Sequence, residues 1–137
     1  MNDGLQRDFA GSVKICLNKY AEFTGRAPRS ELWWWLLFTL ILDIGVTIIA
    51  YLLDAPGGGH FFLRTLRGLL ALALLLPGLG VAVRRMHDIN KSGWWLLLAL
   101  VPVFGAIVVL IFYCLPGTPG ANRFGPDPLA ADANPAV

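Results

Sequence analysis

Two places in the chain hold side chains that can do chemistry. One is Asp43, the single charge in an apolar run from about Leu32 to Leu53. A carboxylate at the centre of a membrane helix costs about 2.5–3.5 kcal/mol on insertion scales, so an ionisable residue there is a functional hypothesis by default. Thr39 and Thr47 stand four residues to either side, on the same helical face. Asp43 is therefore read either as a proton or cation site facing the bundle or an oligomer axis, or as a protonated carboxyl bonded to those threonines or a neighbouring helix. The other place is Arg84-Arg85-Met86-His87-Asp88. One histidine and one aspartate beside two arginines lack the third ligand of a catalytic metal site and the nucleophile of a triad. No catalytic residue, metal or cofactor is expected. Asp88 reads as a partner of Arg84, Arg85 or Arg26 that organises the loop. Guanidinium forks suit phosphate and carboxylate, so Arg26, Arg29, Arg84 and Arg85, with His87, Asp88 and Lys91, form a candidate surface for a lipid headgroup or an acidic partner.

The elements that must position these residues are apolar. Of 137 residues 56% are hydrophobic and 15% charged, against about a quarter charged in a soluble domain. Three runs are long enough to propose as spans, at about 32–53, 66–83 and 94–115, since crossing the hydrocarbon takes roughly 20 apolar residues. The second is the shortest; Arg67 at its start has to snorkel to the interface, and Pro77 with Gly78 and Gly80 is expected to kink it. Too few polar residues remain to coat a soluble three-helix bundle. A net charge of +2 with no dense basic run gives no reason to expect nucleic acid. Cys16 and Cys114 are too far apart in sequence for a metal or redox pair and read as small apolar residues.

With three spans, eight of the eleven lysines and arginines fall on the side of the N-terminus and second loop. The positive-inside rule then places the N-terminus in the cytoplasm and the C-terminus outside. The alternative is a third run that turns back at Pro102 and Gly105 as a re-entrant hairpin, which would bring the C-terminal segment to the arginine loop. Residues 1–31 read as a cytoplasmic segment rather than a cleaved signal peptide. Within it Phe9, Val13, Cys16, Leu17, Tyr20 and Phe23 make a helical stripe, either lying in the membrane interface or packed on the bundle. Residues 116–137 are a proline- and glycine-rich tail, expected to lack fixed structure beyond Pro128.

Two helix entrances echo each other. Arg29-Ser30-Glu31-Leu32-Trp33-Trp34-Trp35 opens the first run and Lys91-Ser92-Gly93-Trp94-Trp95 the third. Each serine is a candidate helix cap, and Trp33, Trp34, Trp35, Trp94 and Trp95 are candidate interfacial anchors. Beyond the third run, Asn122, Arg123, Phe124 and Asp127 form a motif that looks structured.

The blocks Phe23–Trp34, Arg84–Trp95 and Leu115–Pro128, in this order around three apolar runs, resemble the bacterial domain-of-unknown-function family 805, the YhaH-like inner membrane proteins. The resemblance covers about residues 20–128, with Met86 where a leucine is expected. It implies a bacterial inner membrane protein and no particular activity.

The expected architecture is an all-α membrane domain, an interfacial helix followed by three transmembrane helices. The leading functional expectation is a non-enzymatic envelope protein that binds a membrane partner or anionic lipid. A subunit of an oligomeric transporter using Asp43 is second, and a membrane-bound enzyme third.

Overall fold

A computed structural model describes residues 8–53 and 60–130. Four α-helices and one 3₁₀ segment make up its regular structure: α1 (Phe9–Asn18), α2 (Arg29–Leu52), α3 (His60–Asp88), the 3₁₀ segment (Gly93–Leu100) and α4 (Phe104–Cys114). The C-terminal stretch expected to lack structure lies largely outside the described residues.

Helices α2 and α3 pack on each other. At 24 and 29 residues they measure roughly 36 and 43 Å at 1.5 Å per residue, enough for a hydrocarbon core of about 30 Å. Helix α3 runs on through Pro77. The glycines beside that proline make room for neighbours: a Cβ at Gly78 would meet the Trp35 indole, and one at Gly80 the Glu22 carbonyl, each at 3.3 Å.

Helix α1 is capped by Asp8, whose Oδ1 accepts from the Gly11 amide at 2.8 Å. It packs across α2 and α3. The inner part of its stripe is buried: Cys16 is inaccessible, as is the neighbouring Ser12, Val13 packs on the core, and Phe9 stands edge-on to Trp34 at 5.8 Å. Leu17, Tyr20 and Phe23 stay partly exposed. Cys16, Ala27, Leu32, Trp35 and Val81 form the core cluster, so α1, the following loop, α2 and α3 close on one another at a single end of the bundle.

The third run corrects the three-span expectation. It folds in two, as a 3₁₀ limb of 8 residues and an α-helical limb of 11, each roughly 16 Å long at 2.0 and 1.5 Å per residue. Neither limb crosses alone. Two helices, not three, are long and apolar enough to span a membrane among the described residues. The tip is a γ-turn of the rare, positive-φ kind: Val103 has φ 64° and ψ −65°, and the Phe104 amide donates to the Pro102 carbonyl at 2.7 Å. Such a backbone is strained for a β-branched residue. It does satisfy the polar groups of an apolar tip, because Pro102 brings no N–H and the Val101 and Gly105 amides bond to Leu98 and Val101. Gly105 lets the limbs touch, since a Cβ there would lie 1.6 Å from the Leu98 carbonyl oxygen. Apolar length reads the same along a straight helix and along a folded one, which is why the run passed for a span.

The two entrances also differ in space. Ser92 caps its segment, its Oγ accepting from the Trp94 amide at 3.4 Å. Ser30 does not cap α2; Pro28 occupies that position without a side-chain bond, and Ser30 lies inside the first turn.

Candidate functional site

Helix α3 ends at Asp88 in a Schellman motif. Asn90 takes φ 57°, its amide donates to the His87 carbonyl, and the Lys91 amide reaches back to Met86 at 2.9 Å. This turn leaves the Asp88 carboxylate and carbonyl aimed at two other segments. The Arg26 Nε donates to Asp88 Oδ1 at 3.0 Å, and Arg85 Nη1 pairs with Oδ2. The Thr118 amide and hydroxyl both donate to the Asp88 carbonyl, at 2.8 and 2.6 Å.

Around this centre the C-terminal segment wraps a guanidinium. Arg26 donates to the carbonyls of Thr118 and Gly120, and Arg85 to that of Leu115. Gly117 allows the approach, because a Cβ there would stand 2.3 Å from Asp88 Oδ2. Asn122 Nδ2 donates to the His87 carbonyl at 2.9 Å, and its Oδ1 accepts from the Phe124 amide. Phe124 stacks on the His87 ring, centroids 3.9 Å apart and planes 4° apart, and the Arg123 guanidinium lies 4.6 Å from the Phe124 ring centroid. Asp127 accepts from the amides of Leu129 and Gly120; these bonds, that of Leu129 first, hold its carboxyl below the usual carboxylate range.

A second ion pair lies beneath the first. Arg84 Nη2 is 3.0 Å from Glu31 Oε1, and the Cys16 thiol points at the same oxygen. Burial, followed by the Glu31 carboxylate, pushes the Cys16 thiol up to about 12. Because the thiolate is the reactive form, Cys16 is expected to resist N-ethylmaleimide at pH 8 in the folded protein and to react only on denaturation. Mass spectrometry of the Cys114→Ser protein checks this; rapid native labelling would contradict the geometry.

The placement corrects two expectations. First, the loop after α3 and the segment from Leu115 to Asp127, which the three-span reading kept apart, form one site at one end of the bundle. The hairpin brings them together. Second, Arg26, Arg84 and Arg85 are not a headgroup surface. They are 8%, 0% and 0% exposed, with their charge directed at Asp88, Glu31 and backbone carbonyls. Of the remaining basic candidates Arg29 and Arg123 are exposed and Lys91 is half-buried, its Nζ 5.0 Å over Trp95. Trp33, Trp94 and Trp95 are exposed and Trp34 is partly so, whereas Trp35 is 1% exposed and belongs to the core.

Asp43 is remote from this knot. Arg67 reaches it at 2.7 Å, so the arginine turns along the bundle instead of snorkelling outward. Thr47 donates to the Asp43 backbone carbonyl and Thr39 to that of Leu36; neither hydroxyl serves the carboxylate. Sequence reasoning missed the Arg67 pairing, although antiparallel helices place a residue near the end of α2 beside one near the start of α3. It also missed the carbonyls of Leu115, Thr118 and Gly120, which no side-chain pattern announces.

Two apolar helices of spanning length, an apolar hairpin and a polar knot at one end fit one class, the helical membrane proteins. Within that class the chain belongs to the family described as proteins of unknown function, DUF805, whose model matches residues 20–126. It is similar to the inner membrane protein YhaH of Escherichia coli (strain K12), 41% identical over 113 residues, which are 82% of this chain and 91% of the relative. It is also 41% identical to the inner membrane protein YhaI of the same strain, over 82% of this chain and 90% of that one. No solved structure matches.

Proposed function

We propose that the protein is a non-enzymatic component of the bacterial inner membrane that presents a basic, aromatic rim to the cytoplasmic headgroup layer and docks a membrane partner there. The inner membrane location follows the names of its relatives. Orientation follows from charge: among the described residues every lysine and arginine except Arg64 and Arg67 belongs to the knot end, and basic residues favour the cytoplasmic side. Both the N-terminal and C-terminal segments are then cytoplasmic. One observation carries the functional reading. The charges inside the knot are directed at each other, while Arg29, Lys91 and Arg123, with Trp33, Trp94 and Trp95, remain around it as an accessible rim. Tryptophan and arginine are the residues that anchor contacts at interfaces, and both suit the headgroup layer. The Arg67 partner of Asp43 supports a structural role for that carboxylate over a proton site.

Photo-crosslinking from position 94 in intact cells tests this reading. A discrete protein adduct is expected, and combined R29Q, K91Q and R123Q substitutions should reduce it severalfold without lowering protein level. An adduct pattern unchanged by the triple variant would remove the proposal.

A further inference from the structure

A second feature lies between the two long helices. An open groove of about 730 Å³ runs between α2 and α3, from Leu32 and Tyr113 near the knot to Val46 and Arg67. Its size is that of ligand sites, about 300–1,000 Å³. From Leu32 to Val46 it is roughly 21 Å long at 1.5 Å per residue, longer than the depth of one leaflet, about 15 Å. Its walls are mostly leucine and alanine, with Trp35 and Tyr113 toward the knot and Thr39, Asp43 and Arg67 near its middle and mouth. A smaller pocket of about 190 Å³ adjoins it, shares Val46 and Arg67, and adds Arg64 and Thr47.

The charges at this mouth are unbalanced. Arg64 and Arg67 line adjoining pockets whose single carboxylate among the described residues is Asp43, and it pairs with Arg67. Arg67 meets Asp43 through Nη2, and no described residue takes its Nε or Nη1, although a guanidinium carries five N–H donors. The ion pair stays about half exposed, 51% and 48% for the two side chains, where a lipid environment offers no water to complete its hydrogen bonding. An apolar slot of leaflet length with an unsatisfied cationic mouth has the shape and charge of one kind of occupant. We propose that it holds an anionic glycerophospholipid of the leaflet away from the knot, with an acyl chain in the groove and the phosphate between Arg64 and Arg67. A helix from a second copy would fill the slot but leave Arg64 and the remaining N–H groups of Arg67 without an anion. Its cationic mouth is away from the rim, and the site does not rest on the function proposed for that rim.

Native mass spectrometry of the full chain, delipidated in detergent and then offered phosphatidylglycerol or phosphatidylcholine of identical chains, tests this. One bound phosphatidylglycerol per chain is expected, with about tenfold preference over phosphatidylcholine, the scale of one hydrogen bond to a charged group. Combined R64Q and R67Q should abolish the preference. Ala71→Phe, which narrows the groove and leaves the mouth intact, should lose the lipid altogether while Cys16 stays protected. Glycerol phosphate alone should not bind. Equal retention of both lipids, retention in Ala71→Phe, or a dimer without lipid would each overturn the proposal.

Discussion

Replacing Asp88 by asparagine is expected to open the knot and leave a protein that is degraded in cells and loosened in detergent. Asp88 is 3% exposed and is the carboxylate that Arg26 and Arg85 share. Asparagine keeps the size and one acceptor but removes the charge, so two buried guanidinium groups lose their counter-ion. Breaking one buried pair by removing a partner costs about 3–5 kcal/mol, a large part of the stability of a small domain at about 5–15 kcal/mol. The coupling here runs through three segments. Without Asp88, Arg26 loses the anchor that orients it toward the Thr118 and Gly120 carbonyls, and the C-terminal segment is released with it. Two measurements report this: the thermal midpoint, and the maleimide rate of Cys16, which is packed under the knot beside Glu31. The expected result is a fall of many degrees and a sharp rise in labelling. A midpoint within a degree or two of the parent, with Cys16 still protected, would show that the carboxylate does not hold the cluster together.

The second large effect concerns the hairpin. Pro102→Ala with Gly105→Leu is expected to straighten the third run and carry the C-terminus across the membrane in a major fraction of molecules. The closed form needs a glycine where Leu98 crosses, because any Cβ at position 105 would sit inside the Leu98 carbonyl. That obstacle is backbone, so rotamer changes cannot relieve it, and ordinary overpacking costs of about 1–3 kcal/mol understate it. Restoring the N–H at position 102 also removes the reason for the γ-turn. Residues 94–115 then have the length of a continuous span, and the knot contacts are all that opposes it. A green-fluorescent or alkaline-phosphatase reporter fused after Val137 distinguishes the outcomes. The parent should report a cytoplasmic C-terminus and the double variant a mixture shifted outward. An external reporter on the parent would overturn the hairpin topology itself, and an unshifted variant would show that the knot alone determines the fold.

Much of this was legible in the chain. Composition and the position of charges identified a helical membrane protein, because hydrocarbon admits few charges and demands internally bonded backbone; both are properties of local sequence. The α1 stripe, the first two long helices, and Asp88 as an arginine partner followed from periodicity and charge, which act over a few residues. The structured character of Asn122 to Asp127 was visible in its turn residues. The Ser–Trp echo was real as a pattern, yet it opens an α-helix in one place and a capped 3₁₀ limb in the other, since local chemistry at an entrance does not determine the path of the chain beyond it.

Tertiary structure decided the rest. Whether 22 apolar residues run straight or double back depends on a contact between Leu98 and Gly105, and on a site at their far end that rewards the return. Neither is encoded in hydropathy, which sums over a run and is blind to its direction. The same return decided which arginines are surface and which are buried. Positive charges near a membrane entrance look alike in sequence; Arg26 and Arg85 became interior only because Leu115 to Gly120 came back to cover them, while Arg29 and Arg123 stayed outside. The charge on Asp43 announced itself at once, but its partner lies 24 residues on and in another helix. Sequence determined what kinds of groups this protein owns and the medium they live in. Their pairing required the fold, because a charge is neutralised by what stands next to it in space.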